Sequence, residues 1–265
     1  MSSIIKDYHE RCGGAFEVQH RDNKVYIHTK RFIAEPLWTE KSQFADFEKP
    51  IQDLFNVTFA DPDVVKHIRF GEHDGRAVNE KGAVSEQYFE AFVQGSSKRW
   101  SNSEPFGAAF LIKSRENADV VGLEVIQLLR DGVGQAAYMF SKNYHRDEAK
   151  NVRYVGCENV GALIWGYGAE LFTNKAVTRD RITDGATIEA PFTRIETAAL
   201  TKNPASVKIL DRLMCKVDAN DKRHDDKVEE FVLNYAEMCN AAGPSQEPFP
   251  PALGGENCDP EDADI

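Results

Sequence analysis

The sequence predicts an α+β domain, a largely antiparallel sheet with helices packed on it, and three observations predict it. Residues 106–141 hold three apolar runs of strand length, the last two separated by an Asp131-Gly132 turn. Residues 192–213 read as a strand, a tight polar turn and an amphipathic helix. Residues 40–94 carry aromatic and aliphatic side chains at spacings of three and four. The 265 residues suffice for one large domain or two small ones, and 42% hydrophobic with 10% aromatic content supplies a real core.

In chain order, residues 1–27 open with a helical pattern and continue with strand-like Phe16, Val18 and Val25-Tyr26-Ile27; they are expected to pack on the domain as an extension. Phe44, Phe47, Ile51, Leu54 and Phe55 give a helical stripe, in which Pro50 is expected to break or kink the helix. Asp61-Pro62 marks a second helix start, followed by Val64, Val65 and Ile68. Residues 71–84 are polar and punctuated by glycine, which predicts a loop. A helix is expected over 85–94, with Tyr88, Phe89, Phe92 and Val93 on one side. The strands of the meander are expected at 106–112, 119–129 and 135–141.

A long stripe of period near 3.6 follows, through Val152, Gly156, Val160, Leu163, Ile164, Tyr167 and Leu171. Gly156, Gly161, Gly166 and Gly168 within that helix cost about 1 kcal/mol each relative to alanine. Close packing against a strand, a ligand or a crowded interface accounts for them. Residues 176–191 read as a polar connection, and Thr193 to Leu200 as a strand. Asn203 is a preferred N-cap, because its side-chain oxygen accepts from a first-turn amide. Pro204 at the next position loses no useful donor. Val207, Leu210, Leu213 and Met214 form the apolar stripe of the helix that follows. Phe231, Leu233 and Tyr235 alternate as in a closing strand over 230–238. Residues 241–265 hold five of the eleven prolines, six acidic groups and no Lys or Arg, and read as a disordered tail.

The net charge of −11 is thus concentrated in the tail, and the remainder near −5 offers no basic face for nucleic acid. Cys12, Cys157, Cys215, Cys239 and Cys258 are scattered and form no Cys-x-x-Cys pair, so neither a zinc site nor a disulfide framework is indicated. There is no apolar leader and no run of 18 apolar residues; a cytoplasmic or nuclear protein without a membrane partner is expected. No Walker loop, His-Glu-x-x-His motif or Ser-His-Asp series is present.

Arg194-Ile195-Glu196, Asn203-Pro204-Ala205-Ser206 and Ile209 to Leu213 resemble one block of the GNAT superfamily of acyl-CoA-dependent N-acetyltransferases. The branch is that of the ribosomal-protein-alanine acetyltransferases. Met214-Cys215 stand where Gly-Phe is usual, so the turn after the helix must be built differently. Thr29, Arg31, Phe32, Pro36 and Leu37 are similar to the first strand of that branch, with Glu35 in place of a second Arg. Phe106-Gly107 and Val121-Gly122-Leu123 are similar to its central strands. The resemblance spans residues 28–238. It divides the chain into an extension (1–27), an acyltransferase-like domain (28–240) and a tail (241–265). It implies a GNAT fold with a mixed, mostly antiparallel sheet flanked by helices, in which the strand at 135–141 splays from its neighbour.

The implied chemistry is transfer of an acetyl group from acetyl-CoA, without a metal, to a primary amine: a protein N-terminus or a small amine. A backbone N–H near Met139, Phe140 and Ser141 would stabilise the oxyanion. Asn203 would bond to pantetheine or the core, and Ser206 would sit near the leaving thiolate; a plain helix-start role for Ser206 is the bland alternative. The position of the usual proton-donating tyrosine is Leu210. For the pyrophosphate loop, three alignments are open: residues 150–154 (with Asn151, Arg153 and, behind them, Gly156), residues 144–147, or Gly166-Tyr167-Gly168; the first leaves a full helix behind it. Candidate bases are Glu124, isolated in an apolar strand, and His145 on a loop. For Glu124 the solvent face of a half-buried strand is the competing account. A catalytically degenerate GNAT domain that binds acyl-CoA or a protein partner is the second reading of the whole chain, and self-association as a homodimer is left open.

Overall fold

The described residues of the chain build a nine-stranded sheet in the order β1-β2-β3-β4-β5-β6-β9-β11-β10, antiparallel at every junction except β6–β9. The computed structural model describes residues 16–66, 82–144, 155–181, 187–217 and 228–237. The strands are β1 (Glu17–Arg21), β2 (Lys24–His28), β3 (Phe32–Pro36), β4 (Phe110–Ser114), β5 (Val120–Arg130), β6 (Val133–Phe140), β9 (Arg194–Leu200), β10 (Cys215–Lys216) and β11 (Val228–Asn234). A separate hairpin pairs β7 (Val177–Arg181) with β8 (Thr187–Pro191).

Helices cover both faces. On one lie α1 (Lys49–Leu54), which continues as a π turn over Phe55–Phe59, then α2 (Pro62–Val65) and α3 (Glu86–Ser101). Their Ile51, Phe55, Phe59 and Phe89, with Phe47 just ahead of α1, pack on Leu111, Leu123, Val125 and Met139 of the sheet. On the other lie α4 (Val155–Gly161), a π-helical stretch over Ala162–Gly168, α5 (Ala169–Thr173) and α6 (Pro204–Leu213). Val160, Leu163, Ile164 and Leu210 meet Phe110, Ile126, Phe140, Ile195 and Phe231 there. The alternation of Leu123 and Val125 with Ile126 on β5 divides one strand between the two cores. No helix among the described residues is long and apolar enough to cross a membrane.

Four expectations are corrected. Residues 17–28 are two strands of the main sheet rather than an extension laid upon it. Pro50 opens α1 instead of breaking it, because within the first turn its missing N–H has no helical acceptor to lose. The polar stretch 176–191 is mostly the β7–β8 hairpin, anchored where Gly132 N–H donates to Thr178 Oγ1 at 2.7 Å. The strand expected from residue 106 starts at Phe110, since Gly107 takes φ +80° and its N–H turns to the Ile126 carbonyl. Residues 71–81 of the loop expected at 71–84, the tail and the first fifteen residues lie outside the described residues, while Asp61 caps α2 as its sequence suggests, accepting from Asp63 N–H at 3.0 Å.

Candidate functional site

The site begins where the sheet comes apart. β6 and β9 run parallel and pair only at Val133↔Arg194 and Gly134↔Ile195. β6 stays with β5 as far as Phe140, and β9 stays with β11 along its whole length. One further link, Thr197 Oγ1 donating to the Ala136 carbonyl at 2.8 Å, closes the root. Beyond it the two strands share no pair. The root is also held by charge: Arg130 and Arg194 both bond to the Glu196 carboxylate. Burial alone would raise the Glu196 carboxyl, but the two guanidinium groups outweigh it and hold it below the usual value. The Arg194-Ile195-Glu196 motif is in this structure a clasp at the root of the opening.

The backbone of β6 lines one wall. Ser141 N–H donates to the Val121 carbonyl at 2.7 Å, and Gly134 and Ala136 face β9. Alternation along an antiparallel strand therefore turns the peptide groups of Tyr138 and Phe140 toward the opening and that of Met139 toward β5.

Three side chains come together beside that wall. Glu124 on β5 stands directly opposite Tyr138 on β6, and Phe110 of β4 stands on its other side. Glu124 is 0% exposed, and neither carboxyl oxygen has a hydrogen-bond partner among the described residues. Burial without a counter-charge pushes its carboxyl well above the ordinary value. Burial also pushes the Tyr138 phenol up to about 12; the Ser206 hydroxyl works against that rise and the Cys157 thiol adds to it. Among the described residues the Tyr138 hydroxyl makes no hydrogen bond, and its ring lies 5.6 Å from that of Phe140. Ser206 sits in the first turn of α6, where Asn203 Oδ1 accepts its N–H at 3.3 Å and Asn203 Nδ2 donates to its Oγ at 3.0 Å.

The residues singled out in the sequence thus divide. Glu124, Ser206 and Asn203 lie around Tyr138, with Phe140 beside its ring. Met139 is buried in the opposite core, and the Ser141 N–H is committed to β5. Gly156 is explained by packing: a side chain there would overlap Ile209 of α6. Gly166 and Gly168 likewise admit Phe16 and Tyr235, which answers the loop alignment at 166–168 with packing. Leu210 is buried in the core. His145, Asn151 and Arg153 lie outside the described residues. Among the described residues no group of three or more His, Cys, Asp or Glu could hold a metal ion.

Tyr138 is the residue that sequence reasoning missed. A two-residue turn at Asp131-Gly132 sets Val133 against Arg130, and counting onward would set Met139 against Glu124. The register shifts between Leu128 and Arg130, leaves Leu129 as the extra, exposed residue, and brings Tyr138 opposite Glu124 instead.

No family model and no curated protein matches the chain. Among solved structures, a GNAT-family acetyltransferase from Bacillus anthracis aligns over 80% of this chain and 99% of its own at 12% identity, TM-score 0.47. The ribosomal-protein-S5-alanine acetyltransferase from Vibrio fischeri aligns over 79% and 96% at 10% identity, TM-score 0.47. RimL, a ribosomal L7/L12 α-N-protein acetyltransferase in complex with coenzyme A, aligns over 77% and 94% at 11% identity, TM-score 0.46. Likeness at this level transfers no residue role, and what this chain does is read from its own site. All three are described as acetyltransferases, two of them of ribosomal proteins.

Proposed function

We propose that the chain is a GNAT-type N-acetyltransferase, acting in the cytoplasm, that moves an acetyl group from acetyl-CoA to a primary amine by direct attack in a ternary complex. The observation that carries this reading is the opened β6–β9 junction, with Tyr138 and Phe140 peptide groups on its wall and Ser206 beside it. A strand edge without a partner strand leaves amide and carbonyl groups for an extended ligand to pair with. The pantetheine arm is such a ligand. The pyrophosphate would be held by the loop at 150–154, through Asn151 and Arg153, ahead of α4. The oxyanion donor in this reading is a peptide N–H of β6 directed at the opening, at Tyr138 or Phe140. The acceptor is a protein N-terminus or a small amine, selected by residues 38–100 and by the β7–β8 hairpin. A protonated amine cannot attack, and His145 is the base the sequence offers for it. Glu124 is the other candidate base, and burial without a counter-charge pushes its carboxyl well above the ordinary value.

Release of free CoA in the presence of peptide N-termini and polyamines tests the reading. Turnover with at least one acceptor is expected. Ser206→Ala is expected to lower kcat roughly 10- to 100-fold, at or below the usual range for losing a proton-transfer group, with acetyl-CoA affinity little changed. A second reading, an acyl-CoA-binding module without turnover, is favoured by Leu210, which brings no proton donor to the site. Binding of acetyl-CoA with no turnover on any acceptor would select it.

A further inference from the structure

Arg31 gives the first strand part of its family resemblance, yet it is no part of the opening. It lies in the turn between β2 and β3, and β4 and β5 separate β3 from β6. Its side chain turns instead to Glu158 in the first turn of α4. Glu158 is buried, and its carboxylate takes donors from both the backbone and the side chain of Arg31. The Arg31 N–H reaches Oε1 at 2.9 Å, Nε reaches Oε2 at 2.7 Å and Nη2 reaches Oε2 at 2.6 Å. The turn that presents Arg31 is itself fixed. Thr29 Oγ1 accepts the Phe32 N–H at 3.0 Å, and the Thr29 N–H donates to the Phe32 carbonyl at 3.0 Å. Arg115 donates to the Arg31 carbonyl through its N–H and to the Thr29 carbonyl through Nη1.

Two residues before Glu158, the same helix meets both walls of the opening. A Cβ at Gly156 would overlap Ile209 of α6 and would lie 3.7 Å from Phe140 Cε2 of β6. Positions two apart on an α-helix are turned by about 200°, so the anchored side of α4 and its cleft side are opposite. A buried ion pair is a poor source of stability, because desolvation offsets its attraction and apolar residues of like volume often serve as well. A forked guanidinium together with a main-chain N–H supplies something else: one position and one rotation for the helix it holds.

We propose that Arg31 and Glu158 are positioning residues for acyl-CoA, anchoring α4 from behind so that it seats between Phe140 and Ile209 and sets the separation of β6 from α6. This deepens the acetyltransferase reading and rests on it. Arg31 acts on Glu158, Glu158 on the helix, and the helix on the two walls between which the pantetheine arm would lie. Lysine at 31 keeps the charge and loses the planar fork, and glutamine at 158 keeps one acceptor and loses the charge. Either change loosens the hold on α4 and leaves the apolar side chains of both cores in place.

Calorimetry with acetyl-CoA on the intact chain comes first, and absence of binding by the wild type would overturn this proposal and the acetyltransferase reading together. Arg31→Lys and Glu158→Gln are then titrated at a temperature where circular dichroism shows each to be folded. Each is expected to bind acetyl-CoA about tenfold more weakly than the wild type. Val25→Ala, which trims the same core from β2, is expected to melt lower and to keep its affinity within about twofold. The double variant Arg31→Met with Glu158→Met is expected to recover much of the melting temperature and to stay weak in affinity, because the forked hold is gone. Affinity within about twofold of wild type in both single variants would overturn the proposal and leave the acetyltransferase reading standing. So would a double variant whose affinity returns with its stability, since the pair would then act through stability alone.

Discussion

Glu124 and Glu196 are two carboxyls of one sheet with opposite titration behaviour, and the difference lies in what surrounds each. Glu196 has two guanidinium partners, and its carboxyl is held below the ordinary 4.5. Its contribution to stability is present above 4.5 and is lost as pH falls through the lowered value. Glu124 has no partner among the described residues and is held well above 4.5. Its contribution is fully present below 4.5 and is lost as pH rises toward the raised value, by about 1.4 kcal/mol per pH unit over that interval. Glu124→Gln removes this titration. The variant is expected to melt higher than the wild type at neutral pH and to lose the fall in stability that the wild type shows as pH rises above 4.5. Thermal melts across that range check this, and equal pH slopes in the two proteins would contradict it. A core residue whose removal stabilises the fold is one that packing does not account for. The sequence already set Glu124 apart, because a carboxylate amid Leu123, Val125 and Ile126 breaks an otherwise apolar run. Its neighbour was not legible, since the shift at Leu129 that brings Tyr138 across depends on the two strands together.

The element that changes most between sequence and structure is the rod formed by α4, the π-helical stretch and α5. Its apolar period was plain, and its glycines were ambiguous between packing and a ligand. Tyr235 resolves much of that. Its hydroxyl donates to the Ile164 carbonyl within the π-helical stretch, and a side chain at Gly168 would overlap that hydroxyl. Trp165 Nε1 reaches across to the Leu213 carbonyl at the end of α6. The widened helix is thus pinned by Tyr235, which follows β11, and by its own Trp165 against the end of α6, partners distant in sequence that a reading of local periodicity has no means to see. Gly168→Ala is expected to destabilise the fold by about 1–3 kcal/mol through overpacking, with no effect on acetyl-CoA affinity in the folded protein. Denaturation and calorimetry on the same variant separate the two, and a loss of affinity without a loss of stability would return Gly168 to the ligand. By contrast, α6 was legible to within a residue. Asn203, Pro204 and an apolar stripe are local signals, and all three act locally. The turn after it, where Gly-Phe is usual, is made by extended Met214, whose N–H returns to the Leu210 carbonyl before β10 pairs with β11.

The whole molecule is a sheet in two parts hinged at one short parallel junction. The antiparallel run from β1 to β6 and the set of β9, β11 and β10 are each continuous. They meet at Val133 and Gly134, where Arg130, Arg194 and Glu196 clasp the root. The meander and the last strand–turn–helix block were readable as separate pieces. The family resemblance implied a mixed sheet with a splayed strand at 135–141 but not which strands meet in parallel, because no local pattern signals a parallel pair so short. The strand-like pattern of β1 and β2 was legible but their place at the edge of the sheet was not, because five-residue strands joined at Asp22 and Asn23 carry no local sign of which sheet they join. The claim that joins these scales is that the opening beyond the hinge is a cleft for acyl-CoA. Calorimetric titration of the intact chain with acetyl-CoA tests it most directly. One site per chain with micromolar affinity is the predicted result, and no detectable binding up to millimolar ligand would contradict the account.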